Sequence, residues 1–202
     1  MLKDNELREL RQADKTAVGV GSSIDCSKLG SAWTAFLSDE TSLTFCYRFS
    51  WGNPEIAETG TNPSMRTGMV HHVSFPDAPH QPSVNGNRYP HISYSTLDFQ
   101  ILGDGDVPPI LDWKELDFGK SEGDLAGLFS ETDAIVKKLS VNGKQVLQVK
   151  RDYIGRLSQE HVTPLHYFIP NVVINGTAHN VHVIGAVEQE EDLDLLVESM
   201  RF

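Results

Sequence analysis

Apolar and polar residues alternate in several stretches of this chain, and the period of the alternation identifies the elements. Leu43, Phe45, Tyr47 and Phe49 share one parity, while Thr44, Cys46, Arg48 and Ser50 share the other. A period of two is that of a strand with one buried face, and aromatic residues suit a pleated surface. The rings of Phe45, Tyr47 and Phe49 are therefore expected in the core, with Arg48 on the opposite face. Trp51 continues the apolar parity but precedes Gly52, Asn53 and Pro54, a turn signal. Its ring either caps the core or lines a cleft at the strand's end.

Residues 31–37 (SAWTAFL) read as a short strand or a turn of helix, and residues 69–75 and 91–102 as strands. Residues 57–68 are polar with Gly and Pro and read as a loop. Residues 76–90 contain Pro76, Pro79, Pro82 and Pro90, which predicts a long irregular excursion carrying Tyr89. Between residues 110 and 136 the leucines are irregularly spaced and interrupted by glycines, so short helices are expected. The last third is the most legible. Asn142-Gly143 and Asn175-Gly176 each separate two alternating runs, which predicts two antiparallel hairpins with primed turns. Leu193, Leu196, Val197 and Met200 then follow the spacing of an amphipathic helix, with Glu190, Glu191 and Asp192 at the end where the helix dipole favours acids.

These elements predict an α+β fold, an antiparallel β-sheet with flanking helices. Residues 3–15 set acids against bases around Leu7 and Leu10, so residues 1–22 read as a charged N-terminal arm or short helix. Residues 23–202 then form a single α+β domain.

Composition narrows the function classes. The chain has 202 residues, 39% hydrophobic and 22% charged, enough apolar material for a sizeable core. Its net charge of -11 repels phosphate backbones, which argues against nucleic acid as a partner and leaves a protein partner or small ligand. No stretch is long and apolar enough for a transmembrane segment. The two cysteines, Cys26 and Cys46, form no CxxC and adjoin no histidine, so they read as two buried thiols or as one disulfide. A disulfide requires an oxidising compartment.

The eight histidines raise the question of a metal. His179 and His182 form H-x-x-H, and His71 and His72 are adjacent. On a strand both spacings send the two rings to opposite faces. A metal site would need ligands gathered from several strands, with His71, His72, His91, His179 and His182 as weak candidates. That arrangement would make the chain a metal-dependent enzyme. Otherwise no cofactor is predicted. Asp104, Gly105 and Asp106 resemble a fragment of a calcium loop but lack its remaining ligands, and read as an acidic turn. No G-x-S-x-G motif and no phosphate-cradling glycine loop is present. No catalytic residue is therefore assigned, and the candidates for contact with a partner are Arg48, Trp51 and Tyr89.

Two segments carry a family resemblance. TSLTFCYRFSWGNPEI resembles the F-x-Y-P-x-x-W opening strand of the Mog1/PsbP-like group and related bacterial lipoprotein domains, although the proline that usually follows the Tyr is missing here. DLDLLVESMRF resembles the closing helix and S-x-x-F element of the same group. The resemblance implies a Mog1/PsbP-like α/β/α sandwich whose last helix crosses the sheet and whose final Phe returns to the core. It also implies a non-catalytic accessory or binding domain. Export, periplasmic or to the cell surface, would entail a leader absent from this sequence. The charged start MLKDNELRELRQADK equally suits a cytoplasmic partner-binding module.

Overall fold

The computed structural model describes residues 24–38, 43–61, 68–79, 90–102, 110–129, 133–154 and 161–202. A hairpin of β1 (Trp33–Leu37) and β2 (Thr44–Arg48) comes first. It is followed by β3 (Glu55–Thr61), β4 (Gly68–Ser74) and β5 (His91–Ser95). Next are β6 (Phe99–Ile101), β7 (Ile110–Asp112) and helix α1 (Glu122–Ala126). Then come β8 (Ile135–Val141), β9 (Lys144–Lys150), β10 (Tyr153–Ile154) and β11 (His161–Val162). The chain closes with β12 (Pro164–Ile174), β13 (Thr177–Ala186) and helix α2 (Glu190–Ser199). Seven strands form one antiparallel sheet in the order β3-β4-β5-β13-β12-β9-β8. The fold is α+β.

Both predicted Asn-Gly hairpins are present. Asn142 and Gly143 have φ of 49° and 77°, and Asn175 and Gly176 have 49° and 78°. Two successive positive φ values match the right-handed twist of the flanking strands. The β12–β13 pairing shifts register between Ile169 and Val172. Pro170 has no N–H to give the ladder, and the bulge absorbs that loss. Asn171 takes φ 56° there and donates its amide to Asn180 Oδ1 at 3.2 Å.

The sheet is covered on both faces. On one face α2 and the β1–β2 hairpin bury Leu165, Tyr167, Val181 and Val183 beneath Leu193, Leu196, Val197 and Met200. Gly185 permits this approach, because a Cβ there would collide with Leu193. The carboxylate of Asp194 accepts from Tyr167 Oη at 2.7 Å and from Gln148 Nε2 at 2.9 Å, which orients α2 on β9 and β12. Asn142 Nδ2 donates to the carbonyls of Glu198 and Met200, and Arg201 Nη1 to that of Ser199, so side chains take up acceptors left open at the helix's C-terminal end. Beyond it Thr44 and Arg201 exchange two backbone hydrogen bonds, and Phe202 packs partly buried against the same core.

On the other face Leu102, Leu111, Trp113, Leu116, Leu125 and Phe129 form a layer over Val136, Leu147, Val149 and Phe168. α1 belongs to this layer. Ser121 and Asp124 form its capping box.

Several expectations are corrected. Residues 57–61 belong to strand β3; it lies at the sheet edge, and residues 55–60 are in solvent, so that polar run carries no buried face. Residues 91–102 split into β5 and β6, where Ser95 Oγ accepts the amide of Leu97 in a turn. Phe49 is 74% exposed, not core. The chain enters a 3₁₀ turn at Phe49–Trp51, so the period of two ends at Arg48 and the ring swings outward. The two cysteines are joined as a disulfide, tying the 3₁₀ turn Cys26–Leu29 to β2. The N-terminal arm, Tyr89 and the acidic turn at Asp104, Gly105 and Asp106 lie outside the described residues.

Candidate functional site

Sheet register collects histidines from four strands onto one face. His72 of β4 lies opposite Ser93 of β5, Ser93 opposite His182 of β13, and His182 opposite Phe168 of β12. In the adjacent row Ser74, His91, Ile184, His166 and Val149 face one another in turn. Opposed residues share a face of the sheet. His72, His91, His182 and His166 therefore run diagonally across β4, β5, β13 and β12 as one belt.

The belt's contacts are close. The rings of His72 and His91 are 5.6 Å apart. Those of His166 and His182 lie 5.2 Å apart and nearly parallel, with His166 Nδ1 3.0 Å from His182 Nε2. Phe168 stacks on both, at 5.8 and 4.8 Å. Trp113 and Phe129, from the layer above, pack against Phe168 in turn.

Burial makes the belt neutral. His91 is pushed down to about 4, first by burial and then by the charge of His72. His166 is held well below the ordinary imidazole value by burial, then by His182, Arg151 and His91. His182 is lowered by burial, His91 and Arg151, and His72 by burial and His71.

Neutrality fixes the hydrogen-bonding capacity of the pair. Each neutral imidazole has one donor nitrogen and one acceptor nitrogen. In the bond between His166 Nδ1 and His182 Nε2, one nitrogen donates and the other accepts. The outer nitrogens, His166 Nε2 and His182 Nδ1, must then be one donor and one acceptor. Both are buried without a hydrogen-bond partner among the described residues, as are Ser93 Oγ and Trp113 Nε1.

Of the five sequence-derived histidine candidates, His72, His91 and His182 come together and two do not. His71 stacks on Tyr94 on the α2 face, with Nδ1 2.9 Å from the Glu58 carboxylate. His179 meets the edge of Tyr94 and bonds the Thr177 carbonyl. Among the described residues no three His, Cys, Asp or Glu side chains are arranged to hold a metal. One nitrogen of each buried ring is engaged by the other, and His72 Nε2 bonds Thr59 Oγ1 at 2.7 Å. His166 was not singled out from the sequence. Its signal was parity, since it alternates with Leu165 and Tyr167 in the long run of β12.

Arg48 and Trp51 lie on the other side of the sheet from the belt. Arg48 forms a 2.6 Å ion pair with Asp192 at the N-terminal end of α2, and its guanidinium lies 4.8 Å above the Trp33 ring. Trp51 is 2% exposed and meets the edge of Phe75, so its ring takes the core-capping place. The exposed ring beside them is Phe49. Among the described residues no helix is long and apolar enough to cross a membrane. No protein-family model matches this chain, and no curated protein or solved structure matches it at a significant level.

Proposed function

We propose that this chain is a non-catalytic accessory or binding domain that works outside the cytoplasm and contacts a protein partner through the rim at Arg48 and Phe49. The observation that carries this reading is the Cys26–Cys46 disulfide. Cytosolic thiol pools keep such pairs reduced, whereas exported domains retain them. The histidine belt supports a binding rather than a chemical role. Its imidazoles are held neutral, and His166 and His182 are enclosed, packed against Phe168 and each other. A general base needs access to the proton it removes. A Mog1/PsbP-like sandwich is the finer architecture proposed, supported by helices on both faces of the sheet and by a C-terminal helix whose following Phe202 packs on the core.

Phe49 is the favoured contact because a large apolar ring at the edge of a stapled hairpin is costly to leave in water and is a frequent anchor in interfaces. Site-specific photocrosslinking in the source cells tests this. A photoreactive phenylalanine at position 49 should yield one discrete adduct. The same group at Ile135, also exposed but on the far edge strand β8, should yield none. Equal labelling from both positions, or none from position 49, contradicts the reading.

A further inference from the structure

We propose that the His166–His182 pair is an acid-operated latch that holds the layer of residues 110–129 on the sheet at neutral pH and releases it when both rings are protonated. The geometry leaves room for one shared proton. With the pair neutral, or with one added proton, a single N–H lies between His166 Nδ1 and His182 Nε2 at 3.0 Å. A second added proton puts N–H against N–H at the same place, and the bond becomes a repulsion between two cations. The rings cannot separate in place. Phe168 stacks on both, and Trp113 and Phe129 close over Phe168.

The surroundings reinforce this. Among the described residues the titratable and charged groups that act on the pair are His91 on β5 and Arg151 just after β9, with His72 on β4 acting through His91. Each of these carries or gains positive charge, so none stabilises the second proton. The overlying layer contributes Trp113 and Phe129, which carry no charge. Relief comes from water reaching the outer nitrogens, His166 Nε2 and His182 Nδ1, and that requires the layer to lift. Among the described residues no such pair faces α2 on the opposite face; the ties there include Asp194 with Tyr167 and Gln148, and Lys150 with Glu190. The second layer is therefore the one that opens first in acid.

Amide hydrogen exchange read segment by segment, corrected for the intrinsic pH dependence of exchange, tests the latch. Opening coupled to one proton rises about tenfold per pH unit, and to two protons about a hundredfold. Residues 110–129 should lose protection by at least about tenfold per unit below pH 6.5, while residues 190–199 stay protected. In the double variant His166→Phe/His182→Phe, the rings still stack on Phe168 but cannot titrate, and the layer should stay closed over the same range. Uniform loss across both layers, or opening of the double variant at the wild-type pH, overturns the proposal. Should the double variant not fold, ring-nitrogen chemical shifts of the wild type decide. Protonation of His166 and His182 coincident with layer opening supports the latch, and opening while both rings stay neutral overturns it.

Discussion

The amide of Cys46 donates to Ser199 Oγ at 2.8 Å, joining residues 153 positions apart. The same hydroxyl donates to the Leu196 carbonyl at 2.6 Å. One buried side chain therefore links the opening hairpin to the last turn of α2, beside the backbone exchange between Thr44 and Arg201. Ser199→Ala leaves a buried N–H without its acceptor, which costs about 1–3 kcal/mol. Urea unfolding of the variant should show that loss with an unchanged m-value.

The disulfide holds the same hairpin from the other side. It closes a loop with a sequence separation of 20, for which loss of chain entropy in the unfolded state gives about 3 kcal/mol. Cys26→Ser/Cys46→Ser should be destabilised by about that amount, and a reductant should lower the wild-type midpoint but not the variant's.

Trp51 and Phe49 should respond oppositely. Trp51 packs on Phe75 in the core, so Trp51→Ala should cost about 3–5 kcal/mol. Phe49 faces solvent, so Phe49→Ala should stay within about 0.5 kcal/mol. Thermal denaturation distinguishes them, and a large loss from Phe49→Ala would place its ring in the core after all.

Asp194 is the shared acceptor for Tyr167 and Gln148, both buried. Asp194→Ala leaves the Tyr167 hydroxyl without its acceptor and Gln148 Nε2 with only Tyr167 Oη at 3.2 Å, and should cost about 1–3 kcal/mol. Tyr167 is raised far above the ordinary phenol value, first by burial and then by its bond to Asp194. Its stability contribution is present below the unfolded phenol pKa and is lost as pH rises beyond it. Ultraviolet titration should therefore leave Tyr167 un-ionised until alkaline unfolding.

Acid acts on global stability through the belt. His91, His166 and His182 all have folded values below the unfolded imidazole value of about 6.5. The unfolded chain then binds protons that the folded chain refuses. Stability is fully present above pH 6.5 and falls as pH drops toward about 4, the folded value of His91. Urea midpoints should be flat from pH 7 to 8 and decline steadily from pH 6.5 to 5.

The sequence made the hairpins legible because Asn-Gly and a period of two are local signals that leave little choice of turn. The C-terminal helix was legible through Leu193, Leu196, Val197 and Met200, all buried as their spacing required. The belt was legible only in halves. Parity separates His71 from His72 and His179 from His182, but parity cannot say that β5 pairs with β13, distant in the chain. That pairing brings His91 to His182, and the β12–β13 hairpin then adds His166. Phe49 misled for a different reason. Its alternation runs on through a 3₁₀ turn that the residue pattern does not mark until Gly52.

Location and redox state of the cysteines can be read together by alkylating thiols in intact source cells at the moment of lysis, fractionating the cells, and weighing the protein in each fraction. A domain working outside the cytoplasm is recovered in a non-cytosolic fraction with Cys26 and Cys46 unalkylated and joined. Recovery in the cytosol with both thiols alkylated contradicts that function.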